Sequence, residues 1–324
     1  MFAITENDLA TEEAFAEFIA TEIKKQEEST YHKLHLPEML NITSRNSELY
    51  TIFDARNNAY QTRFGVCHNG FFFVFDAFTG EAMRAFAVPF DQGEPVATFY
   101  FDHKMHILFD RGVIALIYLD VNTVQFFRFE SENASITAFN YYFFKKYNVM
   151  VQNNSTVKIL QGLSPQCSLG FNDQMSVLSA LLTFTSNDEI DKLIVIAHNT
   201  ENQGKILLID PYEKRVLDAL TLYNSITSIT QDQSNGDVYI EASSNEQFVI
   251  WKNEDNTLGI DYTEMKHHYT HNGNGVASKK GLGIFFNGKL ISNDSHDIIS
   301  AFGTRNAVGI VTDDNCLYCI DNGY

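Results

Sequence analysis

Three segments of this sequence have residue types and spacings that chemistry could use. Cys316-Leu317-Tyr318-Cys319 is a C-x-x-C, the spacing of thiol–disulfide exchange and of half a zinc site. Glu264, His267, His268 and His271 fall close together and are of the kinds that ligate zinc. Tyr141-Tyr142-Phe143-Phe144 runs into Lys145-Lys146, a pattern that could anchor a partner or stack on bases.

Each must be weighed against the element that would carry it. Redox or zinc chemistry needs convergent sulfurs, but on a strand residues i and i+3 point to opposite faces, roughly 10 Å apart along the chain. No second C-x-x-C is present. The Cys pair is therefore expected to be structural. The His cluster runs into Asn272-Gly273-Asn274-Gly275, which gives little helical support, so a solvated loop between repeats is expected. Strand alternation accounts for the aromatic run, with Phe139, Tyr141 and Phe143 on one face and Tyr142 and Phe144 on the other. There is no G-x-S-x-G, P-loop, Rossmann glycine fingerprint or H-E-x-x-H. The sequence singles out no catalytic, cofactor-binding or metal-ligating residue, and no cofactor or small-molecule substrate is expected.

Composition bounds the rest. In 324 residues the net charge is −18, which disfavours a general nucleic-acid or anionic-membrane binder because phosphates are repelled on average. No apolar run approaches the roughly 18 residues of a membrane span. Four cysteines are too few for a disulfide scaffold, and the N-terminus lacks a basic region followed by an apolar one. An intracellular, cytoplasmic protein is expected, with a nuclear location the alternative.

Residues 1–30 read as a helical extension. From Leu9 to about Glu27 there is no Gly or Pro, and Phe15, Phe18, Ile19 and Ile23 share one helix face. That face is expected either to pack on the main body or to dock a partner subunit.

After Tyr31 short runs of Phe, Tyr, Val and Ile alternate with Asn, Asp, Gly and Ser clusters, an all-β signature. Aligned on one slot, an apolar strand closing in Asp, the runs repeat. Clear copies are Phe72–Asp76, Ala115–Asp120, Ile206–Asp210 and Leu317–Asp321, and weaker ones are Val157–Gln161 and Phe248–Lys252. The slots at 76, 120, 161, 210, 252 and 321 are spaced 44, 41, 49, 42 and 69. The last gap leaves room for a degenerate copy within Gly283 to Ser292. Units of roughly 40 residues have the period of a four-stranded propeller blade, so a seven-bladed β-propeller over 31–324 is expected, with six blades the alternative. The first full unit divides into Leu49 to Ala55, Tyr60 to Cys67, Gly70 to Asp76 and Glu81 to Val88, and in the third a strand is expected from Ser135 to Phe144. The last unit, from Ile298, offers three strands, so the segment around 34–42 is expected to complete it and close the ring.

The slot and its spacing resemble the WD40-repeat family. The best single copy is Ser243 to Lys252, where Trp251 stands for the family Trp and Lys252 follows it. Phe75-Asp76 keeps the Asp and replaces the Trp, Asp314 keeps the turn Asp, Asn69 and Asn245 stand in its place elsewhere, and Gly-His dipeptides are missing. Ile209 to Val216 also has the form of quinoprotein-like propellers, and Ala301 to Val308 has some flavour of a chromosome-condensation regulator repeat. The WD40 resemblance implies a rigid, non-catalytic platform for protein subunits of a larger assembly. The alternative is a propeller enzyme, or a small-ligand or glycan binder, using the central channel.

Overall fold

A computed structural model describes residues 31–35, 49–57, 59–68, 70–88, 90–101, 103–130, 134–142, 145–269, 275–279, 283–287, 289–292, 296–303 and 307–321. The expected helix over 1–30, with Phe15, Phe18, Ile19 and Ile23, lies outside these residues, as do Phe143, Phe144 and His271.

The described chain forms seven four-stranded antiparallel sheets. The last sheet to be completed is begun first, by β1 (Tyr31–His35). Blade 1 is β2 (Leu49–Asn57), β3 (Ala59–His68), β4 (Phe71–Asp76) and β5 (Ala82–Ala87). Blade 2 is β6 (Pro95–Phe101), β7 (Lys104–Phe109), β8 (Val113–Tyr118) and β9 (Thr123–Arg128). Blade 3 is β10 (Ile136–Asn140), β11 (Tyr147–Gln152), β12 (Thr156–Gln161) and β13 (Ser164–Gly170). Blade 4 is β14 (Met175–Phe184), β15 (Ile190–Asn199), β16 (Gly204–Asp210) and β17 (Arg215–Leu222). Blade 5 is β18 (Ile226–Gln231), β19 (Val238–Ala242), β20 (Gln247–Lys252) and β21 (Leu258–Thr263). Blade 6 is β22 (Lys266–Tyr269), β23 (Gly275–Lys279), β24 (Gly283–Phe286) and β25 (Lys289–Ser292). Blade 7 is β26 (Ile298–Gly303), β27 (Ala307–Thr312) and β28 (Cys316–Asp321), with β1 as its fourth strand.

First strands of neighbouring blades lie side by side, β2 by β6, β6 by β10, β10 by β14, β18 by β22, β22 by β26, and β26 back to β2. They surround the centre, and the fourth strands form the rim. Ring closure is the pairing of β1 with β28, Leu34 opposite Leu317 and Tyr31 opposite Ile320. The closing strand overlaps the expected stretch at Leu34 and His35, and residues 36–42 of that stretch lie outside the described residues. Every copy of the apolar slot falls on the third strand of a blade or its end, and the degenerate copy is β24.

Middle strands are nearly all apolar because each blade is sandwiched between two others. In β15, Leu193, Val195 and Ala197 pack in the core shared with blade 3, while Ile194 and Ile196 pack in the core shared with blade 5. Burying each such side chain contributes roughly 1.5–3 kcal/mol. Among the described residues the rim strands pair with no outer neighbour, and β13 is mostly exposed along its length.

Two expectations need correction. The strand expected over Ser135 to Phe144 stops at Asn140. Beyond it Tyr141 and Tyr142 are both buried, Tyr141 against Phe99 of blade 2 and Tyr142 against Phe184 of blade 4, the two opposite sides expected. The stretch expected as a loop at Glu264 to His271 contains β22, the inner strand of blade 6, paired with β23 from Lys266 opposite Ser278 to Tyr269 opposite Gly275. Its strand character comes from that pairing and not from an apolar run.

Candidate interaction surface

The ring has two faces. The front carries the turns joining first to second and third to fourth strands. The back carries the second-to-third turns and the crossings to the next blade.

On the front, the repeating Asp is a turn-holder. Asp76 Oδ1 accepts the amides of Phe78 and Thr79 at 3.0 and 2.9 Å, and Asp76 Oδ2 meets Arg63 Nη1 at 3.0 Å. Asp210 repeats this with the amides of Tyr212 and Glu213 at 3.1 and 3.0 Å, and with Lys192 at 3.5 Å. Each ties the third-to-fourth turn to a cation on the second strand, an Asx-turn with a charge attached. Partial burial of Asp76 pushes its pKa up, but the Thr79 and Phe78 amides and Arg63 outweigh it and hold the carboxyl below its ordinary range.

On the back, a reciprocal lock recurs. Asp110 donates its amide to Glu94 O at 2.9 Å and accepts the Glu94 amide on Oδ1 at 2.9 Å. Asn153 does the same with Ser135, and Asp313 with Asp297. Between blades 4 and 5, His198 Nε2 accepts the Ile226 amide at 2.8 Å. These polar residues, invisible as a motif in the sequence, position the inner strands.

His296, Asp313 and Asp314 are the group among the described residues whose ligand atoms could converge on a cation. Their geometry describes a strut. His296 Nδ1 lies 3.1 Å from Asp313, and its Nε2 lies 3.5 Å from Asp314. Asp314 also accepts the Thr312 hydroxyl at 2.5 Å and faces Lys33 of β1 at 3.7 Å. The set fastens the closing strand to the last blade.

The segments singled out by spacing resolve as follows. Cys316 lies in the core between blades 6 and 7, and Cys319 in the core between blades 7 and 1, on opposite faces of β28. Cys316 Sγ sits 3.2 Å from His35 Nδ1, and all four cysteines are free thiols. His267 packs on the Tyr239 ring at 4.4 Å. Lys145 and Lys146 pair with Asp188 and Glu189 of blade 4, which neutralises the basic end of the aromatic run. Tyr141 stacks on Phe99 of blade 2 at 4.4 Å, and burial pushes its pKa up to about 12.

On the front, a groove of about 370 Å³ opens between blades 3 and 4, where Tyr147, Ile159, Ile190, Pro211 and Tyr212 share the lining with polar Gln166, Ser168 and Lys214. The Cys167 thiol donates to Pro211 O at 3.3 Å and draws its walls together. Tyr212 is 65% exposed at the rim, and Phe101 of blade 2 is 56% exposed on the same face. Sequence reasoning missed this groove, because its residues come from five strands and turns of two blades. The one signal was Pro211-Tyr212 immediately after the slot Asp210.

Ring and blade order define a seven-bladed β-propeller. Among solved structures the chain is similar to the β-propeller domain of Cps50 (Swd1) from Myceliophteria thermophila, with a TM-score of 0.54 over 84% of this chain and 96% of that one, at 8% identity. A chain of a mitotic checkpoint complex aligns over 83% of this chain and 73% of its own, with a TM-score of 0.48 at 10% identity. At such identity the first likeness is one of fold. In sequence, no family profile and no curated protein matches the chain.

Proposed function

We propose that this propeller is a non-catalytic interaction scaffold, a subunit of a larger cytoplasmic assembly whose partners are proteins. The observation that carries this reading is the front groove between blades 3 and 4, with Tyr212 standing open beside it. Its walls are held by strands and by turn-holding Asp210, so a partner side chain meets a preformed pocket at little ordering cost. Exposed aromatic rings beside a preformed cleft are the composition of interface hot spots. With a net charge of −18 the chain favours a partner segment with basic residues flanking its apolar anchor. The same charge disfavours nucleic acid. Among the described residues no helix is long and apolar enough to cross a membrane.

The test is purification of the tagged full chain from its own cells, beside Tyr212→Ala and Phe101→Ala variants and a chain lacking residues 1–30. The reading expects stoichiometric protein partners that Tyr212→Ala releases. Partners lost only without residues 1–30 would move the interface to the extension. A partner-free monomer would reject the scaffold reading.

A further inference from the structure

A blade rim is a row of strand edges, and such edges invite pairing with another chain unless they are guarded. Six of the seven rim strands carry guards. The pairing of β5, β13, β17 and β25 with their neighbours is broken by a register shift. β13 also contains Pro165, β21 has Asp261 at its centre, and β1 carries Lys33. β9 differs. It runs in unbroken register with β8, from Thr123 opposite Tyr118 to Arg128 opposite Val113. It has no proline, and its first five residues, Thr-Val-Gln-Phe-Phe, are uncharged. Phe126 and Phe127, on opposite faces of the strand, are 38% and 48% exposed, and Val121 in the preceding turn is 65% exposed. Among the described residues no strand pairs with its outer edge.

We infer that β9 pairs antiparallel with β9 of a second copy of this chain, joining two propellers rim to rim about a two-fold axis. Two features select this occupant. The first is self-complementarity. An antiparallel register with Gln125 opposite Gln125 of the second copy sets Phe126 against Val124 and Phe127 against Thr123. Aromatic residues then meet β-branched ones, and no like charges face each other, the pairing that stabilises a ladder. The second is charge. Two chains of −18 repel, so close contact requires an uncharged strip. Residues 121–127 are seven consecutive uncharged residues, and Arg128 beside them donates to Arg111 O at 2.9 Å. A two-fold pairing consumes both edges, so association stops at the dimer. This inference stands apart from the scaffold reading, which concerns the front groove.

The test is sedimentation of the full chain over a wide concentration range at low and high salt, with hydrogen exchange at β9. The inference expects a monomer–dimer equilibrium, favoured by salt because screening reduces the repulsion. Amides of β9 should be protected in the dimer and exchange in the dilute monomer. Phe127→Lys should weaken dimerisation at least about tenfold, while Tyr262→Lys on β21 should leave it unchanged. Melting temperatures of both variants show that each folds, and the exchange experiment on the unaltered chain does not depend on them. A monomer at every concentration overturns the inference. So does a dimer indifferent to Phe127→Lys, or open-ended growth without a dimer plateau. Protection of β9 that persists in the dilute monomer also overturns it, by showing that the chain covers its own edge.

Discussion

Tyr142 of blade 3 donates its hydroxyl proton to Gln231 Oε1 of blade 5 at 3.0 Å, across 89 residues of sequence. The Tyr142 hydroxyl oxygen in turn accepts the Leu182 amide of blade 4 at 2.7 Å, and Gln231 Nε2 donates back to Leu182 O at 3.0 Å. Three blades are thus joined through one buried phenol. Gln233 repeats the link, donating to Tyr141 O at 3.0 Å.

Tyr142→Phe keeps the ring, which packs edge-on against Phe184 at 5.1 Å, and removes only the hydroxyl. It leaves the Leu182 amide without this acceptor in a buried site. The expected loss is about 2–3 kcal/mol of unfolding free energy, read from urea denaturation. A change within a few tenths of a kcal/mol would show that the bridge between blades is not a stabilising link.

Asp76→Ala removes two turn hydrogen bonds and one ion-pair partner of Arg63, whose side chain is 7% exposed. It should cost about 2–3 kcal/mol. Asp76→Asn should cost less, because an amide oxygen can still accept from Phe78 and Thr79. The carboxyl is held below its ordinary pKa of 3.8 in the folded chain. Its contribution is therefore complete above that value and is lost as pH falls through the folded one. Acid denaturation of the unaltered chain should be steeper below this pH than that of Asp76→Asn.

His198 carries a pH dependence of its own. Burial lowers its pKa from 6.5. The folded chain favours the neutral ring, whose Nε2 accepts that amide. Stability from this contact is complete above pH 6.5 and is lost as pH falls toward the folded value. His198→Gln offers a non-titrating acceptor, so the fall in melting temperature between pH 7 and 5 should be smaller in the variant. Equal slopes would remove His198 from the account.

Gly259 lies opposite Trp251, and a Cβ there would sit 2.2 Å from Trp251 Cε2. The indole is fixed by its N–H to Asn253 Oδ1 at 2.9 Å. Gly259→Ala should destabilise the fold by about 1–3 kcal/mol and shift the Trp251 emission, since this is the sole tryptophan. An unshifted spectrum with unchanged stability would show that the ring moves aside freely.

The sequence by itself determined the seven-fold period and the third strand of each blade. Those strands are buried on both sides, so Ile206–Asp210 reads as an unbroken apolar run closing on an Asp whose turn is local. The opposite placement of Cys316 and Cys319 was legible for the same local reason, since a strand alternates whatever surrounds it. Tertiary structure alone decided the rest. β10 ends at Asn140 because Asn140 Nδ2 reaches Ser179 Oγ and Ala180 O of the next blade, at 3.0 and 2.9 Å, and Tyr142 then turns inward. β22 is a strand because β23 pairs with it, Lys266 meets Glu241 at 2.8 Å and His267 meets Tyr239, none of which periodicity records. The groove beside Tyr212 and the bridge from Tyr142 to Gln231 join residues of different blades. Such contacts depend on where ring closure sets each blade, and no local pattern of residues encodes that position.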